Sequence, residues 1–237
     1  MKSKILCLLA LLASLTGCVP VDSLNPLYIE KENTFDPILL GQWVSVKKDE
    51  SQTVLEFTRL AQNGKDVGYS ISMTDQGSDG KPSRMDFEGR LITIGNRKFL
   101  DLLPKSSDLR LGSHPLHITH GKNGSNIEPR LLKVATAGYL EFTGGAQPQA
   151  NLRAAHWFMR VNLAGNSLRL DWADDVGVMK TVLSHKFSVA HAIVGEGDLK
   201  EIVITATTQQ LQKFVAEHAD DDLLFTEHTD ELERKQP

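Results

Sequence analysis

Apolar and polar residues alternate along most of the chain downstream of Pro37. Leu55 and Phe57, then Tyr69, Ile71 and Met73, then Met85, Phe87 and Leu91 have polar neighbours such as Glu56, Ser70, Ser72, Asp86, Glu88 and Arg90. A period of two sends alternate side chains to opposite faces of an extended chain, so these runs predict strands with one dry and one wet face. The pattern returns at Trp157, Met159, Val161 and Leu163 against His156, Arg160 and Asn162, and at Leu168, Leu170 and Trp172 against Arg169 and Asp171. Gly95-Asn96 and Gly165-Asn166 separate paired runs. Glycine tolerates positive φ, so both predict two-residue hairpin turns. Residues 131–136, 139–143, 182–187 and 202–205 are further strand candidates, and about eight to ten antiparallel strands in succession predict a barrel or sandwich.

The period changes once. Thr207 followed by Gln210 has the spacing of a capping box, and Leu211, Phe214, Val215 and His218 then share one helical face. Asp220, Asp221 and Asp222 place negative charge where a helix dipole is also negative, so the helix should end near Ala219. This organisation gives an antiparallel β domain over 38–219, with one late amphipathic helix, and a polar, frayed tail over 220–237. Upstream, Pro20, Pro26 and Pro37 disfavour helix and make 18–37 a tether. Leu27, Tyr28 and Phe35 could hold that tether against the domain, or it could hang free.

The first residues follow another logic. Two lysines, Lys2 and Lys4, precede an apolar stretch of about eleven residues and then Leu15-Thr16-Gly17-Cys18, which is the layout of an export leader. That stretch is too short for a bilayer core of about 30 Å at 1.5 Å per helical residue. Leu15 to Cys18 resembles the lipobox of bacterial lipoproteins. The resemblance implies cleavage after residue 17, acylation of Cys18 and a membrane as partner, with two or three acyl chains giving lasting attachment. Val19 stands where an inner-membrane retention signal would have Asp, so the resemblance favours the outer membrane.

Gly41-Gln42-Trp43, at the start of the first strand, resembles the Gly-x-Trp signature of the lipocalins, whose Trp closes one end of an eight-stranded barrel. The order of elements from about Leu39 to Ala219 is similar, with strands first and a helix late. The resemblance implies a carrier of a small apolar envelope molecule, with Tyr69, Met73, Phe87 and Trp157 as candidates to line the pocket. The alternative is a non-catalytic interaction scaffold whose core is filled by Trp43, Tyr69, Met85, Phe87, Trp157, Met159 and Trp172.

Composition narrows the rest. With 26 Lys+Arg against 30 Asp+Glu the net charge is −4, and loss of Lys2 and Lys4 with the leader takes it to −6, which argues against nucleic acid as partner. Cys7 leaves with the leader and Cys18 is the acylation point, so no disulfide forms within one mature chain. His114, His117 and His120 recur every third residue, but Pro115 and the flanking glycines favour strand or loop, where that spacing sends successive side chains to opposite faces. His185 and His191 fix no local geometry. Asp171, Asp174 and Asp175, like 220–222, fit no calcium loop and read as a solvated face. Neither a Gly-x-Ser-x-Gly elbow nor a phosphate loop is present. The chain is therefore expected to be no enzyme and to need neither metal nor cofactor.

Overall fold

A computed structural model describes residues 20–46, 52–76, 82–105, 130–135, 138–143, 149–173, 178, 189–194, 201–225 and 229–235. The leader with Cys18, the triplet His114, His117 and His120, His185, Asp174, Asp175 and the strand candidate 182–187 lie outside these residues. Eight antiparallel strands close a barrel: β2 (Gly41–Ser45), β3 (Thr53–Gln62), β4 (Lys65–Gln76), β5 (Pro82–Ile94), β6 (Arg97–Pro104), β10 (Trp157–Ala164), β11 (Ser167–Trp172) and β14 (Thr229–Arg234). Each pairs with the next in that order, and β14 returns to β2. This is the up-and-down meander of a lipocalin-like barrel, so the sandwich alternative is excluded.

Two segments interrupt the meander. Between β6 and β10 the chain builds a separate sheet from β7 (Arg130–Ala135), β8 (Gly138–Thr143) and β9 (Gln149–Ala154). Between β11 and β14 it forms β12 (His191–Val194), β13 (Glu201–Ile204), helix α1 (Thr208–Glu217) and the short α2 (Asp222–Phe225). Both segments leave from the same end of the barrel, the crossover end. The opposite hairpin end carries the tight turns.

Those turns follow local chemistry. Gly95 and Gly165 have φ of +61° and +60°, and each joins strands in direct register, Ile94 with Arg97 and Ala164 with Ser167. Asn63-Gly64, with φ of 51° and 74°, makes a third two-residue turn of the type Asn-Gly favours. Alternation does not mark this turn, although its Asn-Gly dipeptide is a strong hairpin signal.

Inward residues form one core. Trp43, Leu55, Phe57, Tyr69, Ile71, Phe87, Leu100, Leu102, Trp157, Met159, Leu168, Leu170, Trp172 and Leu232 are all buried in the same cluster. A second core lies outside the wall. Ile92, Phe99 and Phe158, which point outward by register, meet Leu211, Phe214 and Val215 of α1 together with Ile202, Ile204, Leu224 and Phe225. The helix has the expected capping box, with Thr207 Oγ1 accepting from the Gln210 amide, and it ends at Glu217. Its docking on the outer wall matches the amphipathic stripe. It covers a wall and not an edge, because the barrel is closed.

One expectation is corrected and one open alternative is decided. The stretch 220–237 is not a polar tail: β14 carries Leu232 into the core and pairs with both β11 and β2, so the helix precedes the last strand. Nor is the described part of 18–37 a free tether. Asp22–Ser23 is β1, parallel to β13 at Val203 and Ile204, and Val21, Leu24 and Leu27 are buried. From there the chain crosses the outside of the wall, where the Leu27 amide donates to Asp101 at 2.7 Å and the Thr34 amide to Leu91 O at 2.8 Å. It enters β2 at the hairpin end after the 3-10 turn Pro37–Leu39. Leu27 and Phe35 do anchor it, each in a different core.

Candidate functional site

The interior of the barrel is the first place to look for a ligand. At the hairpin end the indole nitrogen of Trp43 donates to Leu39 O at 2.8 Å, and the Arg234 guanidinium lies 4.3 Å from its ring centroid. Arg234 also donates to Leu40 O at 2.7 Å and to Ile38 O, so the last strand fastens the segment 20–40, the strap, where it enters β2. The sequence does not single out Arg234, because it sits in what reads as a tail. Tyr69 closes the same end from within: it stacks on Phe35 with centroids 5.1 Å apart, donates to Asp36 O at 3.1 Å and accepts from the Asp36 amide at 2.8 Å. Burial pushes its phenol up to about 12.

At the crossover end Trp157 and Trp172 meet edge to face at 6.3 Å, and Phe87 lies 5.5 Å from Trp157. Each indole is fixed by a carboxylate, Trp157 by Asp22 of β1 at 2.6 Å and Trp172 by Asp230 of β14 at 2.7 Å. Leu24, just after β1, and Val194 and Val203, from the small sheet β1–β13–β12, belong to the same apolar cluster and cover this mouth. Of the four expected lining residues, the structure brings Phe87 and Trp157 together and places Met73 beside Phe87. Tyr69 stands apart, at the opposite end. Between the ends, Leu55, Phe57, Ile71, Met73, Phe87 and Trp172 border an apolar cavity of about 10 Å³, close to the least space that holds one water.

Two charged clusters sit on the outer wall under later segments. His156 Nδ1 lies 2.7 Å from Asp101, whose other oxygen takes the Leu27 amide. The Tyr28 ring meets His156 edge on at 6.3 Å and carries the Arg90 guanidinium 5.6 Å from its centroid. Burial, followed by the charge of Asp101, raises the Tyr28 phenol, so it gives up its proton less readily than an exposed tyrosine. Ser23, paired through its backbone with His156, donates its hydroxyl to Asn25 O. Asp101 was missed in the sequence, and its signal was that it breaks the apolar run Phe99–Leu103.

In the second cluster Asp171, fully buried, accepts from Arg160 at 2.9 Å, Arg169 at 2.7 Å, Asn162 at 3.1 Å and Thr229 at 2.8 Å. It is therefore not the solvated carboxylate its surroundings in sequence suggest. Arg97 pairs with Asp220 at 2.7 Å beside it. Three guanidiniums, those of Arg97, Arg160 and Arg169, face two carboxylates, those of Asp171 and Asp220, in this open depression. His191 Nδ1 donates to Val189 O at 2.8 Å, and among the described residues no three His, Cys, Asp or Glu side chains converge as metal ligands would. Comparison with protein-family models, with curated proteins and with solved structures finds no match.

Proposed function

We propose that the chain is a lipid-anchored envelope protein, held in the outer membrane through acylated Cys18, whose barrel is a filled interaction scaffold and neither a carrier nor an enzyme. The interior supports this reading best. Sites for small apolar molecules measure about 300–1,000 Å³, against about 10 Å³ here, and both ends are stoppered by side chains that hydrogen-bond to backbone or carboxylate. What such a protein offers a partner is its outer surface and the two segments inserted at the crossover end.

Titrating the leader-free domain with a fluorescent fatty acid tests the filled core. No saturable signal at micromolar concentrations is expected, and stoichiometric, displaceable binding restores the carrier reading with Met73, Phe87 and Trp157 as its first candidates. Anchoring is tested separately by Cys18→Ser, which should move the protein from the membrane to the soluble fraction and remove the acyl mass from the N-terminal peptide.

A further inference from the structure

The docked strap fixes where a lipid at Cys18 would have to lie. Val21 is fully buried and its amide donates to Ala173 O at 2.8 Å, just beyond the end of β11. Ser23 exchanges two backbone hydrogen bonds with His156, at 3.0 and 2.8 Å, just before the start of β10. Both contacts are at the crossover end. Burial of Val21, Leu24 and Leu27 at about 1.5–3 kcal/mol each holds this segment against peeling. Cys18 is three residue steps before Val21, and an extended chain spans at most about 3.3–3.6 Å per residue, so the acylated residue stays within roughly 11 Å of the barrel rim.

We infer that the crossover end, with the sheet β1–β13–β12 over the barrel mouth, is a membrane-facing surface that rests on the bilayer, and that the hairpin end points away. The inference depends on the anchoring proposed above. Its partner is the lipid surface itself. The eight residues of β10, at about 3.3 Å each and tilted by about 40°, put the two ends about 20 Å apart, so the turns Asn63-Gly64, Gly95-Asn96 and Gly165-Asn166 stand clear of the headgroups. Among the residues whose side chains are described, three large apolar ones are well exposed. Two of them, Val46 and Ile193, are at the crossover end, and the third, Ile38, is at the other. The segments inserted after β6 and β11 would then emerge at the membrane and not into the surrounding compartment.

The test uses full-length, acylated protein in vesicles of phosphatidylethanolamine and phosphatidylglycerol doped with a headgroup-bound nickel chelate as quencher. Acylation occupies Cys18, so Ile193→Cys and Asn96→Cys each present a single thiol for a fluorophore at an exposed position. Quenching at residue 193 should exceed that at residue 96 several-fold. A flexible linker of about fifteen residues inserted between Val19 and Pro20 should bring the two close to equal while the protein still floats with the vesicles. Equal quenching without the linker, stronger quenching at residue 96, or a difference that survives the linker overturns the orientation and leaves the anchor standing. Failure of the parent protein to float with the vesicles overturns the anchor and the orientation with it.

Discussion

Single side chains hold the two ends of the barrel. Arg234 covers the Trp43 ring and takes two carbonyls of the strap, Leu40 O and Ile38 O. Replacing it with Ala removes a cation–π contact worth about 0.5–2 kcal/mol and leaves those carbonyls without this donor, so a loss of about 2–3 kcal/mol in urea unfolding is expected. Tyr69 makes a sharper prediction. Its phenol, pushed up to about 12 by burial against an ordinary 10.0, stays protonated in the native state while an unfolded chain ionises. The stability tied to this proton is fully present below pH 10 and is lost as pH rises from about 10 to about 12. Ultraviolet titration should show Tyr69 ionising last or with unfolding, and Tyr69→Phe should flatten that part of the stability profile. Asp101 is the third case. Asp101→Leu leaves the Leu27 amide and His156 Nδ1 without their shared partner, and should cost about 2–4 kcal/mol and speed hydrogen exchange at the Leu27 amide.

Whole elements depend on what they are packed against. Helix α1, at ten residues, is below the roughly 12–15 at which an isolated helix becomes stable in water, so its persistence comes from the outer core. Phe214→Ala should cost about 3–5 kcal/mol in urea unfolding of the leader-free domain. Gln212 is no neutral comparison, because its side-chain amide donates to Leu27 O and to Glu32, both at 3.0 Å. Lys213→Ala, at an exposed position whose 3.8 Å pair with Glu217 is open to solvent, is the right control and should change stability by less than about 0.5 kcal/mol. Through Gln212, and through Asn25 bonded to Ala206 O at 2.9 Å, the strap and the segment after β11 are tied to each other as well as to the wall.

For the whole molecule, closure depends on the last strand. A chain ending at residue 227 lacks β14 and so exposes the edges of β2 and β11, with Leu232 missing from the core and Trp172 and Asp171 stripped of Asp230 and Thr229. Unpaired edges recruit other strands. The truncated chain should therefore elute as dimers or aggregates in size-exclusion chromatography, whereas the parent should not.

The strands, three of their turns and the helix were written locally. A period of two, a Gly or Asn at a turn and a capping box act over a few residues, and for that reason the runs at Leu55 and Phe57, at Met85, Phe87 and Leu91, and from Trp157 to Trp172 read correctly from alternation alone. The barrel's closure was not, because Thr229–Arg234 has a single large apolar residue, Leu232, and contributes through backbone hydrogen bonds to two distant strands. The same holds for Asp101, Asp171 and the strap. Whether a carboxylate on an outer wall is solvated or buried, and whether a proline-rich segment ahead of the barrel hangs or docks, depends on which remote segment folds over it. That the pocket is filled was also a tertiary outcome: the sequence supplied enough large inward side chains to fill a small barrel, but only the register and the sheet over its mouth decided that they meet in the middle.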